Sequence, residues 1–524
     1  MNTILRKQFL AHVGQTSPEP MMIEVARAEG VFFYTPEGKR YYDLVAGVSV
    51  SNVGHANPRV VEAVQRQAAD YMHIMVYGEM IERPQVRYAA RIAELLPGEL
   101  SSVYFVNSGA EAIEGALKLA KRYTHRTELV SMRRAYHGST QGAMSLMGEP
   151  EGEEWKGAFR PLLPDVRAID FNDFDQLRLI TRRTACVVVE PVQGEAGVRP
   201  PVPGWLEALR RRCDEVGALL VFDEIQTGMG RTGEMFAMCK YGVTPDIVCL
   251  AKAFGGGMPL GAFVSRKEIM DTLQTAPTLG HITTFGGHPV CCATGLAALE
   301  YLLETGTVEH VEGRGVLYES LLADHPQVVE IRRSGLLLAV ELGSSAKMFR
   351  MMELFKEAGI LSDWFLYCDT AFRISPPLTI TEEEVRDSAR LIRECLAVHT
   401  VGVGHGELIF QVVGNAVGGL GQDVGGGRRD DQQVAVARER QMLHRSVEGL
   451  CLHGMSRERS KRERSDKFGC RLRHADAHCS TRLDQKPYEL TGLVGGDAAR
   501  DSHCDVFGSQ ARVKLCGHDE AVLS

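Results

Sequence analysis

The chain has 524 residues, 44% hydrophobic and 24% charged, enough to bury large cores in roughly two to four domains. A formal net charge of −8 and a pI near 6.1 argue against nucleic acid or an anionic membrane as partner. The 13 cysteines are scattered and odd in number, with no CxxC pair. The start MNTILRKQFLAHVG lacks the apolar core and cleavage site of a secretory leader, and no run of about 18 apolar residues marks a membrane span. A reducing, cytoplasmic setting is expected.

Residues 1–55 contain YTPEGKRYYDL, which reads as a hairpin and is expected to pack with a later, smaller domain. In residues 56–300, SSVYFVNSG reads as a strand. The helix AEAIEGALKLAKRY follows, with Ile113, Ala116, Leu117 and Ala120 on one face. TACVVVEPV is a second buried strand, GWLEALRRRCDEVG a helix closed by Gly217, and ALLVFDE the next strand. DIVCLAKAFGGG is a strand running into a glycine loop, and Cys291 and Cys292 read as small buried hydrophobes. Apolar strands separated by helices predict an α/β fold with a mostly parallel sheet covered on both faces. Ligands of such sheets lie at the carboxyl ends of the strands. Asn107, Ser108, Glu190, Asp223, Glu224 and Lys252 all fall at such ends.

Residues 301–400 read as a smaller α+β domain. GLLLAVELG and the stretch around FRISPP are its strands, AKMFRMMELFKEAGI a helix, and TEEEVRDSARLIRECLAV a helix opened by a Thr381–Glu384 capping box. Residues 401–524 change character to low-complexity, highly charged sequence (SRERSKRERSDK) and are expected to be an atypical, disordered extension. His474 and His478 at i, i+4, followed by Cys479, have no apolar face on which to build a rigid site, so no metal is expected.

A strand-end lysine is ordinarily a solvated surface group. Lys252 instead has apolar residues before it and three glycines after it, a setting that desolvates the amine, lowers its pKa and makes it nucleophilic toward an aldehyde. Asp223 ends the preceding strand, where a carboxylate can pair with a pyridinium nitrogen rather than cap a turn. A Schiff-base lysine and an acid on the ring nitrogen are what pyridoxal phosphate requires. The small residues of NSGAEA at 107–112 open a helix whose free N–H groups can face its phosphate.

The motifs NSGAEAIEGALKLA, AYHG, EPVQGEAG, FDEIQTGMGRTG, LAKAFGGGMPLGA and TTFGGHP occur in that order. Together they resemble the class III (ornithine/ω-amino acid) aminotransferases of pyridoxal-phosphate fold type I, over residues from about 20 to 400. The resemblance implies a ping-pong transfer of an amino group between an amino acid or ω-amine and a 2-oxo acid. The alternatives are an acetylornithine/ornithine-type aminotransferase using 2-oxoglutarate, or a mutase, racemase or decarboxylase on the same fold. Lys252 then holds the cofactor and moves the substrate's proton, and Asp223 pairs with the ring nitrogen. Ser108, Gly109 and Ala110 cradle the phosphate, Tyr136 stacks on the ring, Gln226 reaches its phenolic oxygen, and Glu190 lies beside it. Thr284 implies a homodimer with shared sites, since it matches a threonine that reaches the neighbouring subunit's phosphate. Arg373 matches the family's carboxylate-binding arginine, and Glu195 a glutamate that covers it in one half-reaction and swings away in the other.

One position departs from the pattern. Ornithine, acetylornithine and 4-aminobutyrate enzymes usually have arginine directly after the glycine of the AYHG-type motif, where this chain has Ser139. That puts 2-oxoglutarate and acetylornithine specificity in doubt, unless Arg133 or Arg134 substitutes, and makes pyruvate or glyoxylate more plausible acceptors.

Overall fold

The computed structural model describes residues 4–148 and 154–398. The 401–524 extension, with His474, His478, Cys479 and the basic run, lies outside them. A seven-stranded sheet organises the fold. Its order runs Ser102–Val106, Gly261–Ser265, Ile247–Leu250, Leu219–Asp223, Thr184–Val189, Glu128–Met132 and Val166–Ile169. The neighbours from Ile247–Leu250 to Val166–Ile169 are parallel, and Gly261–Ser265 runs antiparallel to both strands beside it.

Alternation along each strand sends side chains to opposite faces. Leu219 and Val221 enter one core with Ile113, Ala116 and Phe263, whereas Leu220 and Phe222 enter the other with Trp205, Val248 and Val264. Both faces are thus filled, which is why these strands read as continuous apolar runs. The helix Gly109–Thr124 buries Ile113, Ala116, Leu117 and Ala120, as its spacing predicts. Gly217 closes the helix Trp205–Val216 at φ 67°, a left-handed position where a Cβ is unfavourable.

The hairpin forms as expected: Phe32–Tyr34 pairs antiparallel with Arg40–Asp43. Its second strand also pairs, in parallel, with Ile360–Leu361, so the N-terminal segment shares a sheet with a late part of the chain. A separate four-stranded sheet carries Glu330–Ser334, Leu337–Glu341, Cys368–Ile374 and Trp364–Phe365. The last helix, Glu382–Val398, opens on the reciprocal capping box. Thr381 N donates to Glu384 Oε2 at 2.8 Å, and Glu384 N donates to Thr381 Oγ1 at 3.2 Å.

Arg231, fully buried, links distant stretches of chain. Its guanidinium donates to Leu336 O at 3.0 Å, Pro376 O at 2.7 Å and Asn52 Oδ1 at 2.5 Å. Among the described residues no carboxylate bonds to it, and burial pushes its pKa down to about 9. Arg231→Met keeps much of the volume but orphans these acceptors, so urea unfolding should show a loss of about 2–4 kcal/mol. A change within about 0.5 kcal/mol, typical of surface positions, would refute this linking role.

Candidate active site

The carboxyl ends of the strands meet at one edge of the large sheet. Val189 lies opposite Phe222, so the next residues, Glu190 and Asp223, emerge side by side. Asp223 itself lies opposite Cys249, three residues before Lys252. Asn107 and Ser108 follow the edge strand, whose Val106 faces Gly261. A cavity of about 440 Å³ opens there, lined among others by Ser108, Tyr136, Glu190, Asp223, Gln226 and Lys252. Lysine and aspartate therefore share one chamber.

Lys252 takes a left-handed backbone (φ 53°), uncommon for a residue with a Cβ and a mark of positions held by their surroundings. Burial lowers its amine below the usual lysine range, against the raising charges of Glu195 and Asp223. Asp223 is fixed from behind: its Oδ1 accepts Ile225 N–H at 3.0 Å, and its Oδ2 lies 2.7 Å from His137 Nδ1. Burial pulls His137 down, but the bond to Asp223 outweighs it and leaves the imidazole above its ordinary value. His137 was not singled out from the sequence, although it stands next to Tyr136. No local pattern shows that its partner lies 86 residues away.

Ser108 caps the helix Gly109–Thr124, accepting Glu111 N–H at 3.2 Å, while Glu111 Oε2 accepts the backbone and side-chain N–H groups of Asn107 at 2.8 Å. Ser108, Gly109 and Ala110, the cap and first residues of this helix, line the cavity. Gly138, at φ 122°, presses against this turn: a Cβ there would stand 2.6 Å from Ala110 Cβ. One turn on, Glu114 Oε1 accepts Thr140 Oγ1 at 2.7 Å and Gly142 N at 2.8 Å. The same helix thus builds the N–H cradle and grips the loop bearing Tyr136 and Ser139. Glu114 is a second residue that the sequence did not point to.

Gln226 reaches the cavity because residue 194 is glycine; a Cβ there would lie 1.9 Å from Gln226 Oε1. Its Nε2 is buried with no partner among the described residues. Glu190, 6% exposed, accepts Gly194 N at 3.0 Å, and burial pushes its carboxyl up to about 7.

Glu195 lines the cavity and Arg373 sits behind it, 1% exposed. Arg373 Nη2 donates to Glu195 Oε1 at 2.8 Å. Leu366 N donates to Glu195 Oε2 at 3.0 Å, and Tyr367 N to the Glu195 carbonyl at 2.9 Å. Arg373 more than offsets burial and holds the Glu195 carboxyl below its usual range. The arginine is therefore covered, with the glutamate in place. Ser139 lies 3.2 Å from the Tyr136 hydroxyl, at the cavity wall. Neither Arg133 nor Arg134 lines the cavity; Arg133 pairs with Asp170 at 3.1 Å. Thr284 is exposed and stands apart from the chamber of its own chain.

A family model described as aminotransferase class-III matches residues 13–396. The chain belongs to the class III aminotransferases. This aminotransferase is 39% identical over 378 residues to the acetylornithine aminotransferase of Methanopyrus kandleri, across 71% of this chain and 94% of that protein. Its identity to the acetylornithine aminotransferase of Methanocaldococcus jannaschii is 38% over 375 residues, 69% of this chain and 90% of the other. The solved ornithine aminotransferase of Toxoplasma gondii superposes with TM-score 0.69 at 31% identity, covering 75% of this chain and 94% of its own. A transaminase from the marine bacterium Virgibacillus superposes with TM-score 0.70 at 27% identity, covering 75% and 98%. A further Toxoplasma gondii ornithine aminotransferase structure has pyridoxal phosphate in partial occupancy at its active site.

The aminotransferase works on pyridoxal 5′-phosphate. The chamber suits that group: a helix N-terminus for a phosphate, an orphaned amide N–H, a desolvated amine and a buried carboxylate.

Glu190 gives the site a pH signature. Its folded value near 7 exceeds the ordinary 4.5, so between these the unfolded chain releases a proton that the fold retains. Stability from this group falls as pH rises through that window and then levels off. Relative to the parent, Glu190→Gln should gain roughly 2–3 kcal/mol between pH 5 and pH 8, read from denaturation at both values. Parallel stabilities at the two pH values would count against a buried, neutral Glu190.

Proposed function

We propose that this aminotransferase passes an amino group from an amine, including ω-amines without a carboxylate beside the reacting carbon, to a 2-oxo acid with a single carboxylate. The observation that carries the reading is the lining of the chamber. Among the described residues Lys252 is the only lysine or arginine that lines it, beside Glu190, Glu195 and Asp223, and Ser139 offers only a hydroxyl. A second carboxylate on the acceptor would meet no guanidinium there. The names of the acetylornithine relatives favour a second reading, an acetylornithine-type enzyme using 2-oxoglutarate.

Pyridoxal phosphate, when bound, supplies a carbonyl for the amine and a ring that draws off electrons. In this reading the chain does the rest. Ser108, Gly109 and Ala110 hold the phosphate on the helix N-terminus. Asp223, oriented by His137, keeps the ring nitrogen protonated. Tyr136 would cover a ring face, Gln226 would donate its unpaired Nε2–H to the phenolic oxygen, and Glu190 would lie beside them. Lys252 holds the cofactor and then, as a free amine of lowered pKa, carries the proton away from the substrate carbon and back. Glu195 covers Arg373 while a carboxylate-free amine reacts, and yields it to the carboxylate of the 2-oxo acid. A protein that alternates two substrates needs such a cover; one that isomerises or decarboxylates a single substrate does not.

A cytoplasmic homodimer with shared sites belongs to the same proposal. Thr284 stands between exposed Ile282 and Phe285, and Met72, Ile74, Met80 and Ile81 are exposed nearby along the chain segment that Gln85 ties to Gly287. An apolar surface of this kind fits a second copy, which would bring Thr284 to its neighbour's phosphate. Among the described residues no helix is long and apolar enough to cross a membrane. The division into residues 1–55, 56–300, 301–400 and 401–524 is part of this reading.

Three measurements test it. Lys252→Ala should lose the absorbance of covalently held cofactor and drop turnover by roughly 10²–10⁴-fold. A panel of amines, including butylamine and putrescine, run against pyruvate, glyoxylate and 2-oxoglutarate should show the monocarboxylates ahead. Ser139→Arg should raise kcat/KM for 2-oxoglutarate by roughly 10–100-fold. Rapid turnover of 2-oxoglutarate by the parent enzyme would move the conclusion to the acetylornithine-type reading.

A further inference from the structure

Arg373 carries two carboxylates on different nitrogens. Besides Glu195 on Nη2, Asp363 Oδ1 lies 2.9 Å from Nε, off the line of the N–H bond. The two acids differ in how they are held. Glu195 comes from a loop beside the cavity. Asp363 is locked to the arginine through the backbone, since Arg373 N donates to Asp363 O at 2.8 Å, and Ser362 Oγ donates to Arg373 O at 2.7 Å. The guanidinium also rests on the Phe365 ring, 4.6 Å from its centroid. Arg373 Nη1 is buried without a partner among the described residues, a donor left over after both acids are counted.

We infer that Asp363 is the resident counter-ion of Arg373, the group that allows Glu195 to leave before a substrate carboxylate arrives. This rests on the proposed reading of Arg373 as the carboxylate receptor and adds to it. With Glu195 gone, a guanidinium this deeply buried would stand bare, and an unpaired buried charge is costly. Asp363 cannot follow Glu195 outward because its backbone is fixed to the arginine, so it neutralises the open, empty state. Its effect falls on the rate of exchange more than on the final equilibrium. Glu195 and the substrate carboxylate are both anions on the same cation, and Asp363 repels each to a similar degree. What it selectively favours is the moment when neither is bound.

The test uses the holoenzyme and two small probes that react with the cofactor carbonyl and are followed by its absorbance. Aminooxyacetate carries a carboxylate, whereas methoxyamine does not. In Asp363→Asn, capture of aminooxyacetate should slow about tenfold, and capture of methoxyamine should change less than about twofold. Equilibrium binding of propionate should shift less than about threefold. Asp363→Glu should restore much of the aminooxyacetate rate. If Asp363→Asn folds poorly, Asp363→Ser provides a neutral site with a smaller group. Equal slowing of both probes, or no slowing of aminooxyacetate, overturns the inference. A parallel Arg373→Gln arm separates the two layers. If it leaves the preference for aminooxyacetate over methoxyamine unchanged, the receptor reading fails first. If it abolishes that preference while Asp363→Asn does not slow aminooxyacetate selectively, only the role of Asp363 fails.

Discussion

The site depends on a carboxylate kept at the end of a buried strand. Asp223 can stay there because His137 and the Ile225 N–H occupy the side of it that faces the protein, so its charge is met before any ligand arrives. The register of the sheet supplies the rest. With Asp223 opposite Cys249 and Val189 opposite Phe222, Lys252 and Glu190 come to the same edge without any further device. A one-residue slip would turn Leu219–Asp223 over and send the acid into the opposite core. The packing of Leu220 and Phe222 on one face and Leu219 and Val221 on the other is therefore also what positions the charge.

Most elements could be read from local pattern because their causes are local. The spacing of Ile113, Ala116, Leu117 and Ala120, the glycine stop at 217 and the Thr381–Glu384 box each act within a few residues, and each appears in the structure. The reversal of Gly261–Ser265 was not legible: a strand buried on both faces looks the same in either direction. The chamber was legible to the extent that its groups sit at strand ends in recognisable motifs. His137, Glu114 and Asp363 act through contacts with distant residues, and their own neighbours in sequence give no hint of that role. Arg373 could be picked out as a candidate carboxylate ligand by its motif. That its guanidinium sits behind Glu195, held also by backbone from residues 366 and 367, required the fold.

The helix Gly109–Thr124 does more than present its N-terminus. Through Gly138 against Ala110, and Glu114 on Thr140 and Gly142, it fixes the loop that forms the wall of the chamber. The start of this helix and that wall are thus held to each other by direct contacts. Preorganisation of this kind spares the binding step the entropy of ordering a loop.

The hold on Glu195 bears on how substrate affinities are to be understood. In the proposed reading a carboxylate reaches Arg373 only in the fraction of molecules whose Glu195 has released the guanidinium and the Leu366 N–H. Its apparent dissociation constant is the intrinsic one divided by that fraction. Weak saturation by a 2-oxo acid would then report how firmly the arm is latched, not how well the acid fits. Two homologues with the same contacts to substrate could differ widely in KM solely through the turn at residues 366–367.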